Sequence, residues 1–236
     1  MQYVQLFLTF TCNQNCDFCF NRGIEFRGDL SVKDFEVLSS VLSSHDITEL
    51  DILGGEPLLH KDILGILKTA SQHFHSIYIS TNGSLINRLR EINELFAHIK
   101  VGISINTRIE KKLHSYILSS RPILKSLAEK NRLIPEYAID FIKRGLPYYI
   151  IYRDIISKDD LKDSMPFYEF HRQYKRLKSV YPDIMPVYCE GFISKAASFR
   201  CPAGTTKISI LPDGSAYPCY LFFRFPFLDL CIKFDK

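Results

Sequence analysis

The segment TCNQNCDFCF, Thr11 to Phe20, sets Cys12, Cys16 and Cys19 in a C-x3-C-x2-C array. Three thiolates this close suit a soft metal centre. Tetrahedral zinc and a cubane iron–sulfur cluster each ask for four ligands, so one place is left to fill. The spacing is neither the C-x2-C pairing of common zinc sites nor the four-cysteine run of bacterial ferredoxins. On spacing alone, a structural zinc site completed by a distant histidine or cysteine stays open.

A second segment, ILGGEPLL from Ile52 to Leu59, also carries chemistry. Gly54 and Gly55 leave backbone groups open to close approach by a ligand. Glu56 supplies a carboxylate that can pair with an ammonium. Pro57 removes a donor and stiffens the turn. Alone, such a stretch is equally a plain strand-to-helix turn. Further polar residues end later apolar runs: Ser80, Thr81 and Asn82, then Ser104 and Asn106, then Arg153 on a fifth run. Each is as readily a helix cap or a turn former.

The elements that position these residues alternate. Apolar runs at 3–10, 49–55, 76–82, 100–106, 147–154 and 184–191 read as strands, mostly continuous enough to be covered on both faces of a parallel sheet. Between them Phe35, Leu38 and Leu42 recur at helical spacing behind a Ser31 cap with Asp34 three residues on. Ile63, Leu67 and Ala70 mark a second helix; Leu85, Leu89, Ile92 and Phe96 a third. The stretch 107–146 reads as one long connection broken by Pro122 and Pro135, its last piece a helix ending at Gly145. Phe167, Phe170, Tyr174 and Leu177 line another helix. Five βα units and a final strand predict an α/β fold with a parallel sheet, and parallel sheets carry their chemistry at the carboxyl ends of strands.

C-x3-C-x-Φ-C after the first strand, with Phe18 as the aromatic, and GGEP after the second together resemble the radical S-adenosylmethionine (radical SAM) superfamily. The resemblance implies a partial (β/α)6 TIM-like barrel over residues 1–190. It implies that Cys12, Cys16 and Cys19 hold three irons of a [4Fe-4S] cluster and that S-adenosylmethionine chelates the fourth, which answers the missing ligand. In the family the reduced cluster passes one electron to the sulfonium, the C–S bond breaks, and a 5′-deoxyadenosyl radical takes a hydrogen from the substrate. By the same resemblance Phe18 packs near the adenine, Gly54 to Pro57 receive the methionyl amino group, and Ser80, Thr81 and Asn82 contact the cofactor. Ser104 and Asn106 are candidates for the ribose or carboxylate, and Arg153 for the carboxylate.

The pattern changes from about Glu190. The tail at 191–236 contains Cys201, Gly214 and Cys219 as C-x12-G-x4-C, with an Asp213–Gly214 hairpin turn. This resembles the SPASM or twitch extension of many radical SAM enzymes. A full SPASM tail carries more cysteines than Cys201, Cys219, Cys231 and the upstream Cys189. Those four suffice for one auxiliary iron–sulfur cluster, so the shorter twitch form fits better, and the tail reads as a small β-hairpin module that can be truncated. Cys189 and Cys231 have a plainer reading as buried small residues.

Seven cysteines, an odd number, argue against a secreted disulfide framework and for a reducing cytoplasm. A formal charge of +4 is too mild to argue for nucleic acid, and no apolar run predicts a membrane span or a signal peptide. The basic stretch His171 to Lys178 reads as a solvated helix face, and His60 as a capping or surface residue. The tail's likeness to peptide-modifying members points to a peptide or protein substrate, with flavodoxin or ferredoxin as electron donor. The alternatives are a small-molecule substrate in cofactor biosynthesis, a non-catalytic zinc or iron–sulfur module, and a degenerate homologue that has lost turnover.

Overall fold

The computed structural model describes residues 3–24, 28–107, 109–155, 158–189, 203–224 and 232–233. The chain divides into two compact units, Met1–Thr81 with Asn87–Val101 and Pro202–Lys236, and Asn82–Ile86 with Gly102–Cys201. Both are α/β with mostly parallel strands, as expected.

The first unit contains β1 Tyr3–Phe7, β2 Glu49–Leu53 and β3 Ser76–Thr81, paired in parallel in chain order. Its helices are α1 Val32–Ser44, α2 Ile63–His73 and α3 Ile86–Leu95. Ser31 caps α1 as expected: its Oγ accepts the Asp34 N–H at 3.1 Å and donates to the Asp34 carboxylate at 2.9 Å. Phe35, Leu38 and Leu42 are buried where α1 packs on α2, which buries Ile63, Leu67 and Ala70.

The strands of this unit depart from the expected two-sided burial. Val4, Leu6, Leu50 and Ile52 are fully buried on one face, while Gln5, Asp51 and Tyr78 alternate with them on the other, half-buried. That second face is polar around Gln5 and Asp51, while Phe7 at its carboxyl end is fully buried. Tyr3 OH donates to Asp51 Oδ2 at 2.8 Å and Ser209 Oγ to Gln5 Oε1 at 3.0 Å. Burial first, then the Asp51 charge, push the Tyr3 phenol far above its usual range.

The tail joins this sheet. β8 Lys207–Ile210 pairs in parallel with β1. The expected hairpin returns it as β9 Ser215–Tyr217, antiparallel to β8. Short β10 Ile232–Lys233 pairs with β9. A 3-10 helix, Tyr220–Arg224, follows β9.

Chain continuity carries β4 Lys100–Ser104 into the second unit, where β5 Ile123–Leu127, β6 Tyr148–Ile151 and β7 Ile184–Val187 follow in parallel. Here the stretch 107–146 corrects the sequence reading. It is a helix, α4 Lys111–Ser120, then a full strand, β5, then α5 Ala138–Lys143. Pro122 sits just before the strand, where a missing N–H costs no ladder bond. Lys125 and Ser126 hid the strand, but Ser126 is buried and accepts the Tyr148 OH at 2.6 Å. α6 Lys158–Asp163 and α7 Phe167–Val180 complete the unit. α7 buries Phe170 and Tyr174 and turns Arg172 outward, paired with Glu169 at 2.6 Å, as read for a solvated face.

Candidate active site

The cysteine loop leaves the end of β1 through a run of single turns. Cys19 N–H donates to Cys16 O at 3.1 Å, Arg22 N–H to Cys19 O at 3.1 Å, and Ile24 N–H to Asn21 O at 3.2 Å. Cys12 is exposed and Cys16 and Cys19 are half-buried; all three carry thiols rather than disulfides. Burial, then the charges of Cys19 and Cys12, push the Cys16 thiol up. Burial also raises Cys19, against a backbone hydrogen bond from Asn21. Thiolates within electrostatic reach of one another repel until a cationic centre binds them.

Three thiols this close make a soft donor set. A cubane takes each thiolate on its own iron, whereas zinc takes its sulfurs at about 2.3 Å from a single point.

GGEP lies directly against this loop. Gly55 N–H donates to Thr9 O at 2.8 Å and Glu56 N–H to Thr11 O at 2.9 Å. A Cβ on Gly54 would stand 2.3 Å from Thr9 O, and one on Gly55 2.3 Å from Thr11 O. Gly54 also has φ +141, open only to glycine. The two glycines therefore admit the root of the cysteine loop, whatever else they admit. Asn21 adds a side-chain tie, its Nδ2 donating to Gly54 O at 2.6 Å.

Glu56 is fully buried. Its Oε1 accepts Leu58 N–H at 3.1 Å, capping the 3-10 turn Pro57–Leu59, and Thr81 Oγ1–H at 2.7 Å. The structure thus joins GGEP to the end of β3. Thr81→Val keeps the shape and removes that donor. Urea unfolding is expected to show a loss of about 1–3 kcal/mol, the cost of weakening a buried carboxylate's hydrogen bonding. An unchanged midpoint would mean the bond contributes nothing. His60 is buried, its Nε2 at 2.8 Å from Leu30 O and its Nδ1 accepting Asp62 N–H at 3.2 Å, a capping role as read.

The remaining expected residues sit as follows. Phe18 and Ser80 are half-buried in the first unit. In the second, Asn82 Oδ1 accepts Ser84 N–H at 2.9 Å and Asn106 Oδ1 accepts Leu127 N–H at 2.7 Å, turn and strand-end roles. Ser104 is half-buried at the end of β4. Arg153 is paired with Asp160 at 3.2 Å. Cys189 is exposed after β7; Cys219 is half-buried before the 3-10 helix. Cys201 and Cys231 lie outside the described residues.

Sequence reasoning missed Asn21, Asp160 and Arg224. Asn21 stood two residues after Cys19 and was readable as a turn former. Nothing local marked Arg224, whose guanidinium donates to Phe20 O and, at 2.9 Å, to Arg22 O.

Residues 6–142 match the Radical SAM superfamily. A probable GTP 3′,8-cyclase of Methanothermobacter thermautotrophicus is 38% identical over 85 residues, 35% of this chain and 28% of that protein. The antilisterial bacteriocin subtilosin biosynthesis protein AlbA of Bacillus subtilis is 23% identical over 246 aligned positions, 91% of this chain and 54% of that protein. The chain thus spans about half or less of these curated relatives. Among solved structures, Streptococcus suis SuiB bound to S-adenosylmethionine superposes with a TM-score of 0.75 at 19% identity, over 93% of this chain and 60% of that one. SuiB has also been solved bound to its precursor peptide SuiA.

Proposed function

The chain belongs to the radical SAM superfamily, and we propose that it abstracts a hydrogen from a peptide or protein substrate. The observation that carries this is the cysteine loop laced to GGEP by the Gly55-to-Thr9 and Glu56-to-Thr11 hydrogen bonds. Family membership implies a [4Fe-4S] cluster and S-adenosylmethionine. Bound together, they supply reductive C–S cleavage and a hydrogen-abstracting radical.

The chain's own residues hold and orient. Cys12, Cys16 and Cys19 ligate three irons and leave one place open. Gly54, Gly55, Glu56 and Pro57 form the motif that receives the methionyl amino group, the buried Glu56 carboxylate holding its turn through Leu58 and Thr81. Phe18 packs near the adenine. Ser80, Thr81, Asn82, Ser104 and Asn106 supply hydrogen bonds to the cofactor, and Arg153 its charge for the carboxylate. Flavodoxin or ferredoxin delivers the electron, in the cytoplasm. In the tail, Cys201, Cys219 and Cys231, with Cys189, hold an auxiliary cluster that binds substrate or takes up an electron.

The peptide reading is favoured because the likeness to AlbA runs through 91% of the chain. The likeness to the GTP cyclase, though closer in identity, stops at 35%. A small-molecule substrate is the second reading, on the strength of that identity. Among the described residues no helix is long and apolar enough to cross a membrane.

The test is anaerobic reconstitution, reduction and assay for 5′-deoxyadenosine, first alone and then with candidate precursor peptides or GTP. Release that rises with a peptide and not with GTP supports the favoured reading. Stimulation by GTP alone transfers it to the second. No 5′-deoxyadenosine under any condition contradicts both.

A further inference from the structure

We propose that the 3-10 helix Tyr220–Arg224 is a clamp on the cysteine loop, with Arg224 as its positioning residue. This rests on the reading of the loop as a cluster site.

Three observations meet at this place. First, the Arg224 guanidinium forks between two backbone carbonyls, Phe20 O and Arg22 O, on the turn that follows Cys19. That turn is held inside by Arg22 N–H on Cys19 O, and the guanidinium caps its outer carbonyls. Second, the helix and the loop share one aromatic core. Tyr220 lies 5.0 Å from Phe20 between ring centroids, and Phe223 5.9 Å from both Phe7 and Phe10. Leu211 and Tyr217 from the hairpin complete it. Third, Cys219 immediately precedes the helix, and its carbonyl accepts Phe222 N–H at 3.0 Å. Cys219 thus lies one turn from the residues that contact the loop.

The loop is thus held from both sides: Asn21 ties it to GGEP at 2.6 Å, and Arg224 ties it to the tail. The tail acts on the first cluster by geometry and charge, apart from any cluster of its own.

Arg224→Met removes fork and charge while keeping a long stem; Arg224→Lys keeps the charge and loses the fork. In the metal-free protein, the amides of Arg22 and Ile24 are expected to exchange with deuterium faster in R224M than in wild type, with α2 unchanged. Equal exchange overturns the clamp. In the reconstituted protein, chelator is expected to strip the first cluster about tenfold faster from both variants, the factor for one lost charge-assisted hydrogen bond. The cluster's midpoint potential is expected to fall in R224M and to stay near wild type in R224K, since nearby charge sets the potential. A merely structural contact moves the first two readouts and leaves the potential untouched. Cluster loss and potential equal to wild type in both variants overturn the proposal. A wild type that builds no cluster removes the proposed function instead, and the exchange measurement still decides the clamp.

Discussion

Cys16→Ala is expected to reduce 5′-deoxyadenosine formation by at least about 10³-fold, to the background of the unreconstituted protein. The three thiols act as one unit. With one gone, an iron loses its anchor, the cubane is not retained, and no open position exists for S-adenosylmethionine. Residues that act as a unit are non-additive, so Cys12→Ala, Cys19→Ala and the triple variant are expected to fall to the same floor. Cys219→Ala, outside the loop, is expected to keep the first cluster's iron and its spectrum. A Cys16→Ala protein that still releases 5′-deoxyadenosine would place the chemistry elsewhere. Equal loss of all iron in Cys219→Ala would mean that loop and tail share one centre.

Gly55→Ala is expected to be among the most damaging single methyl groups that can be added near the site. The new Cβ would lie 2.3 Å from Thr11 O and 2.6 Å from Phe10 O, both backbone atoms that no rotamer change can move aside. The β1 exit and GGEP must separate, breaking the bonds from Gly55 to Thr9 and from Glu56 to Thr11. A loss of roughly 3–5 kcal/mol in urea unfolding is expected, the range of severe backbone and packing defects, together with poor iron incorporation. Gly65→Ala in α2 is the control. Its Cβ would meet only a Val32 methyl at 3.3 Å, a side chain that can shift. Alanine's helix preference, worth about 1 kcal/mol over glycine, works in its favour. Its stability is expected to change by no more than about 1 kcal/mol. If the two variants behave alike, the close approach at Gly55 is not what the position requires.

These two glycines show how far sequence could reach. Gly54 and Gly55 were legible as a place of close approach, although alone GGEP read equally as a plain strand-to-helix turn. What approaches was not legible: in the structure it is the chain's own Thr9 and Thr11, contacts more than forty residues away in sequence. The Ser31 cap and the apolar faces of α1, α2 and α7 were readable because they are local and periodic. β5 was not, because ILKSL carries lysine and serine on positions that only the sheet explains. β8 reads as half of a hairpin, and nothing local says that it pairs with β1. The clamp is the extreme case: Arg224 and Phe20 are 204 residues apart, and an isolated arginine among aromatics carries no pattern.

The central claim is that Cys12, Cys16 and Cys19 hold a cluster whose fourth iron is open to S-adenosylmethionine. The most direct measurement is the electron paramagnetic resonance spectrum of the anaerobically reconstituted, reduced protein, recorded with and without S-adenosylmethionine. A [4Fe-4S]+ signal that shifts when the cofactor is added, and that is absent in Cys16→Ala, is the predicted result. A cluster indifferent to S-adenosylmethionine, or a bound metal with no paramagnetic signal, would contradict the account and leave a structural metal module in its place.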